Sequence, residues 1–400
     1  MNSCQGGVVK RQRVLPEIAA IESEVIEIRR RLHAHPELGF EEHDTSALVA
    51  TLLARYGYRV TRGVGGTGVV GTLARGRGPC LGLRADMDAL PIREATALPW
   101  ASRTEGVMHA CGHDGHTAML LAAARCLAER TGWRGTLNLI FQPAEEGLGG
   151  ARRMIEEGLF ERFPCDAVYA MHNVPGLPAG RLGFHAGAFM ASADEARIRV
   201  FGRGGHGASP QQTIDPVVAC ASIVMALQSV VARNVDPQHP AIVTVGEMHA
   251  GTASNVIPPH ADLSLSVRAL SPEVRVLLER RIREIVLGQA SSYGARVEID
   301  YRHDYPVLVN HARETGLARE VALEWGGPDA LIDDLHPLMA SEDFAYMLER
   351  CPGSYLSIGN GDGSGGAGGC ALHNPEYDFN DDCLAIGASY WVCLAERILQ

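Results

Sequence analysis

In the first half of this 400-residue chain, apolar runs of strand length alternate with stretches of helical period. The helical period covers residues 16–34, 45–56 and 116–128, and the strand-like runs lie at 80–83, 135–141 and 165–171. Strands alternating with helices predict a mostly parallel sheet covered on both faces, because neighbouring parallel strands need a crossover, usually a helix. Near residue 193 the pattern changes. Residues 195–201, 241–248 and 261–270 alternate polar with apolar, 215–233 and 272–287 have helical period, and 295–301 reads as a strand. That mixture predicts an α+β insert whose sheet has one face under helices and the other open. After residue 305 helical runs return at 311–324, 341–350 and 383–399. The expected fold class is α/β: a discontinuous larger domain, 1–191 and 306–400, around a mostly parallel sheet, with a smaller α+β domain, 192–305, inserted in it. The glycine-dense run 359–369 reads as a mobile loop, and the chain has no internal repeat.

Composition narrows the function. Hydrophobic residues make up 46% and charged residues 21%, values at which a chain can bury a sizeable core. A formal net charge of −11 leaves no basic surplus for phosphates, so a nucleic-acid partner is not expected. No run reaches the roughly 18 consecutive apolar residues of a membrane helix, and residues 1–13 carry basic residues without the apolar stretch of a signal peptide. A cytoplasmic protein without a membrane partner is the expectation. Its ten cysteines show no disulfide-scaffold spacing and read as reduced, partly buried thiols, with one exception.

That exception is Cys111, in His109-Ala110-Cys111-Gly112-His113-Asp114-Gly115-His116, directly before a predicted helix. Cys and His one residue apart, beside glycine, suit a first-row divalent metal. Four further motifs follow. Asp86-Met87-Asp88 lies just after an apolar strand, though Asp-x-Asp alone is more often a turn or cap. Gln142-Pro143-Ala144-Glu145-Glu146-Gly147 ends another strand, so that one Glu can ligate while its neighbour acts as a base. Met171-His172-Asn173 lies at a third strand end, and Leu372-His373-Asn374-Pro375 follows the glycine run. An open α/β sheet presents ligands from several strand ends along one edge, and a two-metal centre needs about five or six donors.

Together these residues resemble the aminoacylase and hippurate hydrolase family of co-catalytic metallopeptidases. So do Gly204-Gly205-His206-Gly207, Asn255-Val256-Ile257-Pro258 and Ser341-Glu342-Asp343-Phe344, and the likeness runs from Arg31-Leu32-His33 to the last helix. The resemblance implies two divalent ions per subunit held by Cys111, His113, Glu146, His172 and His373. Zinc is favoured by the thiolate, with manganese, cobalt and nickel left open. It implies that Glu145 is the general base, that Asp88 orients one imidazole from behind the ligands, and that His206 reaches the oxyanion from the other subunit of a dimer. The inserted domain then acts as a lid and dimerisation domain. Asn255 and Arg268 match positions that hold a substrate carboxylate. Distant relatives carry His where Asp86 stands, so the further ligand is expected from His113, with Cys111 in place of a bridging Asp. His109, Asp114, His116, Glu342 and Asp343 are expected to support the ligands rather than join them. The expected activity is amide hydrolysis of N-acyl amino acids, hippurate-like or N-acetylated. A metallo-exopeptidase or dipeptidase on the same scaffold is the alternative, and a binding protein without turnover is a third.

Overall fold

The computed structural model describes residues 14–363 and 368–400. The readings of residues 1–13, of Cys4 and of part of the glycine run (364–367) therefore lie outside the described residues. The chain divides into two compact units: one holds the residues up to Gly187 with Val309–His336 and Tyr346–Gln400, the other Ala188–Leu308 with Pro337–Ala345.

The first unit is built on an eight-stranded mixed sheet in the order Arg59–Val64, Gly68–Arg75, Gly135–Gln142, Cys80–Asp86, Ala167–Pro175, Gly353–Gly361, Leu182–Gly183 and Leu331–Ile332. The four central strands, Gly135–Gln142 to Gly353–Gly361, run parallel. They are buried almost throughout, and three of them, Gly135–Gln142, Cys80–Asp86 and Ala167–Pro175, carry apolar runs rather than alternations. Helix His113–Glu129 packs against Leu384–Ile398 and Glu22–Ala34, and 14 of its 17 residues are buried, which is why its middle, residues 118–124, is apolar on every side. Burying Leu120 and Leu121 completely stabilises by roughly 1.5–3 kcal/mol each.

Two parts of this sheet depart from the sequence reading. The antiparallel strands Arg59–Val64 and Gly68–Arg75 carry Arg and Gly and show neither clean alternation nor an apolar run. Gly353–Gly361 overlaps the expected loop at its C-terminal end. Its glycines serve close approach: a Cβ on Gly353 would sit 1.9 Å from the Val168 carbonyl oxygen, and one on Gly359 2.0 Å from that of Pro178. The expected helix 341–350 is confined to Phe344–Leu348.

The second unit is a four-stranded antiparallel sheet in the order Ala241–Ala250, His260–Ala269, Ala193–Phe201, Arg296–Tyr305. Alternation shows directly: Ala196, Ile198 and Val200 are buried while Arg197 and Arg199 are exposed. Helices Pro216–Asn234 and Pro272–Ser292 cover the apolar face through Ile223, Leu227, Val230, Leu278, Ile282 and Val286. By length and composition alone Pro216–Asn234 is apolar enough to cross a membrane, which counting consecutive apolar residues overlooked. Asp215 starts that helix by accepting from the Val217 and Val218 N–H groups at 2.8 and 3.4 Å, with Pro216 at the first helical position. Asp215→Ala is expected to lower stability by about 1 kcal/mol, measured as a fall in the urea midpoint at unchanged slope; an unmoved midpoint discards the capping account.

Candidate metal-binding active site

The sheet's carboxyl edge assembles the first unit's motifs. Asp86 and Gln142 stand opposite each other at the ends of adjacent parallel strands, so Asp88 and the Glu145-Glu146 pair leave the sheet side by side. His172 lies in the C-terminal half of the next strand. The loop after Asp86 is held by the Ala89 N–H to the Glu37 carbonyl (2.8 Å) and by Leu90 pairing with Met108, which brings residues 109–113 alongside. Gly112, at φ 88°, turns the chain into helix His113–Glu129. His373 comes from far along the chain, docked by its N–H on the Ala110 carbonyl at 2.8 Å. Among the described residues only four non-glycine residues have positive φ; two are His373 (62°) and Ala144 (53°), beside Glu145. Such backbone is sustained where the surroundings over-determine it, commonly at functional sites.

The donor atoms converge in overlapping groups within the first unit: Cys111 with Glu146 and His373, His113 with Glu145 and Glu146, and His113 and His172 with Asp86 and His116. Within each group the atoms lie within 4.8 Å of one another. Cys111 Sγ is 3.4 Å from His172 Nε2, and His373 Nε2 is 3.3 Å from Glu146 Oε1. Both buried imidazoles are oriented through Nδ1. His172 Nδ1–H donates to the Asn173 carbonyl at 2.7 Å. His113 Nδ1 faces the Asp88 carbonyl at 2.9 Å and Asp88 Oδ1 at 3.2 Å, while Asp88 Oδ2 accepts from the Glu146 N–H at 2.9 Å. Each ring thus turns Nε2 toward the cluster.

This donor set fits divalent cations. His113 Nε2 is buried and meets no hydrogen-bond partner, an arrangement that is costly without a ligand. Burial pushes the Cys111 thiol well up, and the Glu146, Glu145 and Asp86 carboxylates push it further. A coordinating cation reverses that, since it deprotonates a thiol outright. Burial alone would lower His113, but Asp86 and Asp88 outweigh it and push the imidazole up to about 10. Burial, reinforced by His116, holds His172 well below its usual value. Contact with Glu146 raises His373 against the effect of burial.

Asp86 and His116 stand in the same cluster, but their atoms are already engaged. Asp86 Oδ2 takes Arg84 Nη1 at 2.7 Å, Asp86 Oδ1 takes His116 Nδ1–H at 2.7 Å, and His116 Nε2 accepts from the Asn173 N–H at 3.0 Å. Asp114 turns away, to Arg29 Nε at 2.8 Å and His33 Nδ1 at 2.9 Å. Burial pushes His109 down to about 4. Asn173 stood in the strand-end motif without an assigned role and Tyr377 was overlooked, because a single Asn or Tyr carries no spacing signal.

His206, Asn255 and Arg268 belong to the second unit. His206 is exposed and pairs with Val256, its Nδ1 accepting from the Ala208 N–H at 3.0 Å; the Gly207 N–H donates to the Asn255 carbonyl at 2.8 Å. The glycines around His206 serve packing in this unit, for a Cβ on Gly204 would meet the Ile257 carbonyl at 2.8 Å. Arg268 Nη1 donates to the Met339 carbonyl at 2.9 Å. Glu342 and Asp343 are buried, with Glu342 Oε1 accepting from the Phe344 N–H at 2.9 Å.

A mixed, mainly parallel α/β sheet whose carboxyl edge gathers Cys, His and Glu donors beside an additional carboxylate defines a metallohydrolase class. Residues 82–397 match peptidase family M20/M25/M40, and the chain belongs to that family. It is 46% identical to the hippurate hydrolase of Campylobacter jejuni, over 97% of this chain and 100% of that one. It is 37% identical to the N-acetyl-L-cysteine deacetylase of Bacillus subtilis, over 96% and 90%. A Bacillus subtilis crystal structure described as a dinuclear metal-binding peptidase of the M20 family superposes with a TM-score of 0.83 at 33% identity, over 95% of this chain and 99% of that one.

Proposed function

We propose that this protein is a metal-dependent amidohydrolase that cleaves N-acyl amino acids to a carboxylate and a free amino acid. What carries the reading is end-to-end similarity to a hydrolase of hippurate, which is N-benzoylglycine, supported by a similar deacetylase of an N-acetyl amino acid. Cys111, His113, Glu146, His172 and His373 would hold two divalent cations, a number in keeping with the dinuclear relative. The thiolate favours zinc, with manganese, cobalt or nickel as alternatives. When bound, such ions supply Lewis acidity, polarising the amide carbonyl and making water more acidic.

Glu145 takes the proton from the attacking water as its oxygen bonds to the carbonyl carbon, then delivers it to the nitrogen as the C–N bond breaks. Asp88 fixes His113 by bonding its Nδ1 side. His206, with Nε2 left to donate, offsets charge on the tetrahedral oxygen, and Asn255 and Arg268 receive the substrate carboxylate. The second unit serves as lid and dimerisation domain of a homodimer, a role supported by the open edge of strand Ala241–Ala250 and its exposed Ile242 and Met248. A reducing cytoplasm suits a site built on Cys111, and none of the nine described cysteines forms a disulfide.

The test is kinetic. With defined zinc or manganese, kcat/KM for N-benzoyl and N-acetyl amino acids should exceed that for unblocked dipeptides by at least about tenfold, a difference of about 1.4 kcal/mol in transition-state binding. Preference for the dipeptides would instead support an exopeptidase, the reading favoured by the peptidase description of the similar Bacillus structure.

A further inference from the structure

We infer that Asn173 is a positioning residue that sets Cys111 and His172 at their mutual distance, and that Tyr377 and His116 hold Asn173 in place. The inference rests on the proposed role of Cys111 and His172 as cation ligands. Asn173 is completely buried, and each of its polar groups is engaged. Its side-chain Nδ2 donates to the Cys111 carbonyl at 2.7 Å. Its own carbonyl accepts His172 Nδ1–H at 2.7 Å, which fixes the tautomer that leaves Nε2 facing Cys111 Sγ, 3.4 Å away. One residue therefore grips the backbone of one donor and the ring of the other.

Asn173 is itself held at two further points. Tyr377 Oη donates to Asn173 Oδ1 at 2.8 Å, and a flipped amide would set Oδ1 against the Cys111 carbonyl. The Asn173 N–H donates to His116 Nε2 at 3.0 Å, which requires the His116 proton on Nδ1, where it meets Asp86 Oδ1 at 2.7 Å. Asp86 is tied in turn to Arg84, and Arg84 Nε to Gln142 Oε1 at 2.8 Å. The relay runs from the strand that ends in Gln142 to the thiol-bearing turn, and every link in it is buried. Gly112 closes the arrangement, since a Cβ there would come 2.4 Å from Asn173 Nδ2 and 2.5 Å from Tyr377 Oη.

Removing groups that orient metal ligands typically weakens binding 10–100-fold. Asn173→Asp keeps the shape but replaces the Nδ2 donor by an oxygen facing the Cys111 carbonyl. Tyr377→Phe deletes one oxygen atom and leaves Asn173 Oδ1 without the donor that holds it. For each variant, and for the wild type, zinc Kd is measured by chelator competition, and the cobalt-loaded protein is read in the near ultraviolet for the thiolate-to-cobalt charge-transfer band.

The expected result is a Kd weaker by about 10–100-fold in both variants, with a shifted or diminished band and an unchanged far-ultraviolet circular dichroism spectrum of the metal-free protein. Wild-type Kd and band in a folded variant would overturn the inference. Should Asn173→Asp fail to fold, Tyr377→Phe decides alone. Cys111→Ser separates the two layers: if the wild type shows no thiolate band, or Cys111→Ser retains one, the metal-site reading itself fails. If those controls behave and the Asn173 and Tyr377 variants bind like the wild type, the positioning role alone fails.

Discussion

Glu145→Gln is expected to keep the full cation content of the protein and to lower kcat by about 10²–10⁴-fold, the range for a lost general base. The substitution preserves side-chain shape and removes only the capacity to take and return a proton. Glu145 is buried beside His113 and Glu146, on the turn where Ala144 adopts φ 53°. Glu146, one residue on, is the proposed ligand, and its N–H remains anchored to Asp88 Oδ2 in the variant. Elemental analysis alongside steady-state kinetics on an N-acyl amino acid gives both quantities. A variant retaining more than about a third of the wild-type kcat lies far outside the general-base range and would sink the assignment; loss of metal together with activity would show that Glu145 is a ligand instead.

His206→Ala is expected to reduce kcat by about 10²–10³-fold, the loss measured for single oxyanion donors, and to be rescued in trans. His206 sits on an exposed two-residue strand of the second unit with Nδ1 occupied, so Nε2 is the atom available to a substrate oxygen. If it serves the partner subunit's cations, mixing Glu145→Gln with His206→Ala and allowing subunit exchange creates one competent centre per heterodimer. The His206→Ala chain supplies a sound base and the Glu145→Gln chain a sound histidine. If His206 acts within its own chain, both centres of the heterodimer stay damaged. Recovery of activity is the expected outcome, and none after exchange confirmed by native mass spectrometry would refute the shared site.

Much of the candidate site was legible along the chain because its motifs are dense. Cys111 and His113 lie one residue apart beside Gly112, and Glu145 and Glu146 are adjacent at a strand end. Three of the four central strands declared themselves through apolar runs, since a strand buried on both faces has few polar positions to offer. Strands without such runs stayed hidden. Arg59–Val64 is an edge strand with exposed arginines, and Gly353–Gly361 owes its glycines to the close approach of Val168 and Pro178, a reason invisible along the chain.

The sequence by itself determined the α/β character, the α+β insert with its helix-covered face, and which residue types could bind a cation. Those properties follow from local periodicity and from side-chain chemistry, neither of which needs a distant partner. Only the tertiary structure decided that Asp86 is engaged by Arg84 and His116, that His113 and His172 both present Nε2, and that Asn173 grips Cys111 and His172 together. A histidine's tautomer and a carboxylate's role depend on which groups reach them across the fold. Those partners come from strands and loops far apart in the chain, brought to one edge by parallel pairing.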